Sequence, residues 1–171
     1  MMTRRSPDLR PDAVVLRCAA CGDGQFQETN VEGRAFPYRD ERALTLTQAL
    51  LLPVCTVCGE VRESAQHAAS LDRLLHAAYV ARRAAQTHEL VAQLTAAGWR
   101  QVDIEQTMAL SAGYLSKVLR GEKLLAPSTF RHLIHLALHP REALRDLAPF
   151  FPQSRDIEST LERRGAFAAS R

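Results

Sequence analysis

Trp99-Arg100-Gln101-Val102-Asp103-Ile104-Glu105-Gln106-Thr107-Met108-Ala109-Leu110-Ser111-Ala112-Gly113-Tyr114-Leu115-Ser116-Lys117-Val118-Leu119-Arg120-Gly121-Glu122 is the stretch on which the fold of this chain turns. It reads as two brief helices, Gln101 to Met108 and Ala112 to Arg120, separated by Ala109-Leu110-Ser111. Val102, Ile104, Met108, Leu110, Leu115, Val118 and Leu119 supply the buried faces. Ser111 is placed to cap the second helix by accepting from its free N–H groups, and Gly121 ends it. The pattern is that of a helix-turn-helix.

Working outward, residues 65 to 97 are rich in Ala, Leu, Arg and Gln, with no glycine between Gly59 and Gly98, and so are expected to be helical. Leu71, Leu74, Leu75, Ala78 and Tyr79 fall at i, i+3, i+4, i+7 and i+8, the spacing of an ordinary core or dimer-packing face. A second helix is expected from Thr87 to Ala97, stopping at Gly98. Toward the C-terminus, Ser128 to Leu138 and Arg141 to Leu147 read as helices entered at Pro127 and Pro140, where a missing N–H costs little. The tail from 151 to 171 carries few large apolar residues besides Ile157, Leu161 and Phe167, and reads as disordered or as a short terminal helix. On the N-terminal side, short runs broken by turn residues suggest strands at Gln25 to Val31, Arg34 to Tyr38 and Ala43 to Leu50.

Cys18-Ala19-Ala20-Cys21 and Cys55-Thr56-Val57-Cys58-Gly59 are two CxxC pairs separated by thirty-three residues. This spacing lets a tight turn present two sulfurs to one tetrahedral ion, and two such turns supply four soft ligands. With no position left for water, Cys18, Cys21, Cys55 and Cys58 are expected to hold one structural Zn²⁺ rather than a catalytic one. The ion would replace much of the core that about fifty residues cannot build alone. A thioredoxin-like redox pair is disfavoured because no βαβ pattern surrounds either CxxC. Loss of the metal on thiolate oxidation stays open as an added role.

The expected class is therefore α+β, a small zinc-bound β-rich module followed by an all-α helix-turn-helix domain. Its expected parts are a flexible leader at 1–12, the four-cysteine module at 13–62, a helical linker at 63–86, the helix-turn-helix domain at 87–150 and a tail at 151–171. The apolar fraction of 46% and charged fraction of 24% are those of a globular chain. No run reaches the roughly 18 apolar residues of a membrane span and no signal-peptide core follows the basic start, so a cytoplasmic location is expected. In reducing surroundings paired cysteines favour metal over disulfides. The formal charge of +3 falls to about +1 once four thiolates hold one zinc, so net charge does not announce a nucleic-acid binder.

Any affinity for DNA must come from where particular cations sit. In a helix-turn-helix the second helix enters the major groove with its N-terminal residues at base edges, while the first is anchored over the backbone. That places Ser111, Ala112, Gly113, Tyr114, Ser116 and Lys117 toward DNA. Gln101 is expected to give its amide and N–H to a phosphate, with Arg100, Arg120 and Lys123 as flanking cations. Ala112 and Gly113 carry no hydrogen-bonding side chain, so base readout would lean on Tyr114, Lys117 and DNA shape.

The order of modules adds a resemblance. Cys18, Cys21, the Pro53-Val54-Cys55-Thr56-Val57-Cys58-Gly59-Glu60 segment, the Gln101 to Glu122 unit, Pro127-Ser128-Thr129 and His139-Pro140 together resemble the MqsA family of antitoxins and their YgiT-type zinc-finger relatives, with an Xre/Cro-type helix-turn-helix. About 130 residues are covered. The resemblance implies a homodimer held through the C-terminal domain, a pseudo-palindromic operator, autorepression and, in the antitoxin members, capture of an RNase toxin by the zinc half. The chain departs from the family in a longer linker from Glu60 to Gln86, a tail past Pro152 and small residues on the recognition helix.

The expected function is a DNA-binding repressor without catalytic activity. The competing readings are a free-standing zinc-containing regulator and a protein-interaction adaptor with no toxin partner. An enzyme is disfavoured because His132, His135 and His139 lie on or beside one helix without a carboxylate at catalytic spacing.

Overall fold

The computed structural model describes residues 17–147, 149 and 153–165. The expected leader at 1–12, the start of the expected zinc module at 13–16, and Phe167 with the end of the tail lie outside the described residues. Among the described residues four strands come first: β1 Phe26–Asn30, β2 Ala35–Tyr38, β3 Glu41–Thr45 and β4 Leu51–Cys55. Six helices follow among them: α1 Ala65–Ala96, α2 Gln101–Thr107, α3 Tyr114–Leu119, α4 Pro127–Leu138, α5 Pro140–Leu147 and α6 Gln153–Arg163. A small β region followed by helices is an α+β arrangement.

By their internal contacts the residues divide into two compact units. Among the described residues, the first takes those up to Phe36 together with Ala43–Leu75, and the second takes Pro37–Arg42 together with those from His76 onward.

In the first unit β1 and β4 pair antiparallel, in a register that sets Phe26 opposite Cys55 and Asn30 opposite Leu51. β2 and β3 form a separate two-stranded sheet. The single strand expected from Ala43 to Leu50 is instead the last part of β3 and a connection, with β4 beginning at Leu51. Pro53 lies inside β4, which pairs with β1 on one side and meets the short Val54–Val61 bridge on the other, so a missing N–H is tolerated there. Its carbonyl still accepts the Arg62 N–H at 2.9 Å. Val31, Leu44, Leu46 and Leu52 are buried here, each worth about 1.5–3 kcal/mol relative to exposure.

α1 runs unbroken through the position where a second helix was expected to begin at Thr87. No Gly or Pro interrupts that interval, and Thr87 hydrogen-bonds back to the Arg83 carbonyl at 2.8 Å instead of capping a new helix. The helix ends where Gly98 and Trp99 N–H groups return to Thr95 and Leu94. Of the apolar stripe, Leu71, Leu75, Ala78 and Tyr79 are buried.

One apolar cluster organises the second unit: Val91 and Leu94 of α1, Trp99, Ile104 of α2, Leu115 and Val118 of α3, Phe130, Leu133 and Leu136 of α4, Ala143 and Leu144 of α5, and Ile157 and Leu161 of α6. The described part of the tail is thus a helix whose i, i+4 apolar pair enters the core. The tip of the β2–β3 hairpin belongs to this unit, where Asp40 accepts from Tyr79 Oη at 2.9 Å and pairs with Arg83. The buried Arg83 guanidinium also stacks over Phe130, 4.0 Å from the ring centroid.

Candidate functional site

The two CxxCG segments fold into matching turns. Gly22 N–H bonds the Cys18 carbonyl at 2.8 Å and Gly59 N–H bonds the Cys55 carbonyl at 3.1 Å. Each of these glycines takes a positive φ, 78° and 74°, which a residue with a Cβ reaches only at a cost. Gly24 answers a different demand, since a Cβ there would sit 2.1 Å from Cys55 Sγ. The β1–β4 pairing holds Cys55 against Phe26, and Arg34 braces the second turn through the Gly59 carbonyl at 2.9 Å.

These turns bring the four sulfurs within 4.8 Å of one another. Cys18 and Cys58 sulfurs are 3.6 Å apart, Cys21 and Cys55 3.7 Å. Both separations are far beyond a disulfide bond and close to the edge, about 3.8 Å, of a tetrahedron with metal–sulfur bonds of about 2.3 Å. The four thiols therefore fit a tetrahedral metal ion. Backbone N–H groups of Gly24 and Val57 approach the Cys21 and Cys55 sulfurs at 3.4 and 3.5 Å, the orientation that supports thiolate ligands.

The sulfurs do not ionise alike. N–H groups of Cys58 and Val57 draw the Cys55 thiol down to about 6. At Cys58 the Glu60 N–H also favours thiolate, but burial and the neighbouring sulfurs outweigh it and push the thiol up to about 12. Crowded sulfurs resist collective ionisation, and a bound dication removes that resistance.

The second candidate surface is the α2–α3 corner. α3 begins at Tyr114, two residues later than expected, because Gly113 holds a left-handed conformation with φ 74°. Ser111 makes no side-chain cap; its carbonyl accepts the Tyr114 N–H instead. The expected role of Ser111 is taken by Glu105, an α2 residue only 4% exposed. Its carboxylate accepts N–H groups from Gly113 at 3.0 Å and Leu115 at 2.8 Å, capping α3 from a different helix.

Gln101 also departs from expectation. Its amide donates to Glu105 at 3.0 Å and to Ser116 Oγ at 2.7 Å, so those donors serve the α2–α3 junction rather than facing outward. Ser116 is half-buried by the same contact. Ser111, Ala112, Lys117, Arg120, Lys123 and Arg100 are exposed, with Gly113 and Tyr114 half-buried among them. Lys123 lies over the Tyr114 ring at 5.3 Å. Arg120 pairs with Glu122 at 2.6 Å and Arg100 with Asp103 at 2.9 Å, whereas Lys117 has no ion pair among the described residues.

Three further residues shape this corner without having stood out in the sequence. Asp103, side chain 4% exposed, accepts the Arg100 N–H at 2.9 Å and Arg164 Nη1 at 3.0 Å, tying the start of α2 to the end of α6. Burial alone would raise its pKa, but the Arg100 side chain and backbone and the Arg164 guanidinium hold it below the ordinary value. His88 of α1 donates from Nε2 to the Leu119 carbonyl at 2.8 Å and fixes the C-terminal end of α3. Ala109, in the turn, has φ 53°, an uncommon conformation for a residue with a side chain.

No helix of the described residues is long and apolar enough to cross a membrane. The chain matches no protein-family model, and comparison with curated proteins finds no match.

Proposed function

We propose that this chain is a zinc-stabilised, sequence-specific DNA-binding repressor, built as an antitoxin of the MqsA type that represses its own operon. The observation that carries the reading is the α2–α3 corner. A short α3, anchored at its start by Glu105 and at its end by His88, has Ala112 exposed just before it, Tyr114 half-buried at its first position and Lys117 exposed one turn on. A helix fixed at both ends presents side chains to a groove with little loss of freedom on binding.

In this reading α3 lies in the major groove. Tyr114 and Lys117 address base edges, and Arg100, Arg120 and Lys123 neutralise phosphates after exchanging their internal partners for DNA. The small Ala112 and Gly113 permit close approach and leave part of the selectivity to groove shape. Two copies related by a two-fold axis would read half-sites about 34 Å apart. The Cys18, Cys21, Cys55 and Cys58 set holds Zn²⁺, whose chemistry is structural: it cross-links two turns and leaves no position for a substrate. The zinc half is the surface offered to a toxin.

The pairing of Arg120 and Arg100 with acidic neighbours favours a second reading, a protein-interaction adaptor that does not bind DNA. Selection of bound duplexes from a random pool by the full-length, zinc-loaded protein separates the two. Enrichment of a two-half-site sequence, lost in Tyr114→Ala and Lys117→Ala, supports the repressor; no enrichment at low salt leaves the adaptor.

A further inference from the structure

At the end of α4, His135 and His139 stand one helical turn apart, and the His139 N–H still bonds the His135 carbonyl at 2.8 Å. Their ring centroids are 5.5 Å apart. Two imidazoles on one tetrahedral ion, with metal–nitrogen bonds of about 2.0–2.1 Å, place their centroids about 5 Å apart. The i, i+4 spacing on a helix is the arrangement that sets two histidines on one metal.

Carboxylates from α5 complete the surroundings. Asp146 Oδ2 lies 3.8 Å from His135 Nε2, about half an ångström more than two ligand atoms on one small ion would need. Glu142 Oε2 lies 3.3 Å from His139 Nδ1, which orients that ring and leaves its Nε2 for a ligand role. The four side chains are 50–74% exposed, so a modest rotation of Asp146 meets no packed neighbour's resistance. Among the described residues only the four cysteines already gather three or more ligand atoms. At α4 the two imidazoles stand side by side, and both the His139 ring and the Asp146 carboxylate must rotate to share one ion with His135.

We propose that His135, His139 and Asp146 form a second metal site that clamps the last turn of α4 to α5. Imidazole with one carboxylate selects a zinc- or nickel-like divalent ion over magnesium or calcium, which prefer all-oxygen shells. The site adjoins a cavity of about 410 Å³ lined by His132, His135 and Asp146 as well as by Met108 and Ala109 of the α2–α3 turn. Water fills the remaining positions from that side, so the ion is held less tightly than one enclosed by four thiolates. Occupancy follows free metal concentration and stabilises the second unit by mass action.

The test is a calorimetric Zn²⁺ titration of the full chain already carrying its cysteine-bound metal, with native mass spectrometry counting ions per chain. A second equivalent is expected, weakened at least ten-fold in His135→Gln and in His139→Gln and several-fold in Asp146→Asn, with helix content unchanged. His67→Gln serves as a control that leaves it intact. Absence of a second equivalent, or one that survives both α4 histidine substitutions, overturns the proposal. Failure of the cysteine site would remove only the first equivalent, so the two assignments are judged separately.

Discussion

Replacing Glu105 with alanine removes the group that starts α3. The carboxylate accepts the N–H groups of Gly113 and Leu115 and the amide of Gln101, all between 2.8 and 3.0 Å. Losing a helix cap costs about 1–2 kcal/mol. Leu115 is fully buried, so its N–H would also be left without an acceptor, at about 1–3 kcal/mol. Relief from burying a carboxylate offsets part of this, giving a net loss of about 3 kcal/mol. Glu105→Gln keeps one acceptor but turns an NH₂ toward the other donors, and should lose about half as much.

Trp99, the chain's single tryptophan, is 1% exposed in the core of the same unit, so its fluorescence reports unfolding there. In urea the Glu105→Ala midpoint should fall by roughly 1–3 M with an unchanged slope, and the melting temperature by roughly 10–20 °C. A loss below about 0.5 kcal/mol would refute the assignment of Glu105 as the α3 cap.

Other expectations follow from the same geometry. Stripping metal with a strong chelator should abolish the β signature of the first unit while Trp99 fluorescence is retained; loss of both signals together would contradict the division into two units. Ala109→Gly should stabilise by about 0.5–1 kcal/mol, because relief of a left-handed alanine outweighs the added freedom of the unfolded chain; destabilisation on thermal melting would count against that strain. Asp103 and Asp40 both have pKa values held below 3.8, so the stability they contribute is fully present well above that pH. It declines as pH falls past 3.8 and is gone below their folded values, and Asp103→Asn should flatten that acid limb of the pH–stability curve.

What the sequence made legible was local. The cysteine spacing, Gly98 after α1 and the prolines that open α4 and α5 each act within a few residues, and the structure uses them there. What escaped depends on contacts between distant segments. β4 carries no local mark, because its partner, β1, lies more than twenty residues away and Pro53 argues against a strand. Ser111 has the composition of a cap, but the cap is supplied by Glu105, which in sequence looks like any solvated helix acid. Asp103 and Arg164 are sixty-one positions apart, and nothing local in either announces the other. The α6 pair Ile157 and Leu161 sits in a mostly charged segment, so too few apolar residues mark it as core.

The measurement that bears most directly on the central claim is the salt dependence of binding to the DNA upstream of this chain's own reading frame, compared between the unaltered protein and Lys117→Ala. Phosphate contacts make log affinity fall linearly with log salt, by about 0.9 per contact on duplex DNA. A steep slope is expected, with affinity that weakens in the variant and a slope shallower by about one if Lys117 touches a phosphate and unchanged if it reads a base. No binding at low salt, or a curve identical in both proteins, would contradict the assignment of α3 as the DNA-reading helix.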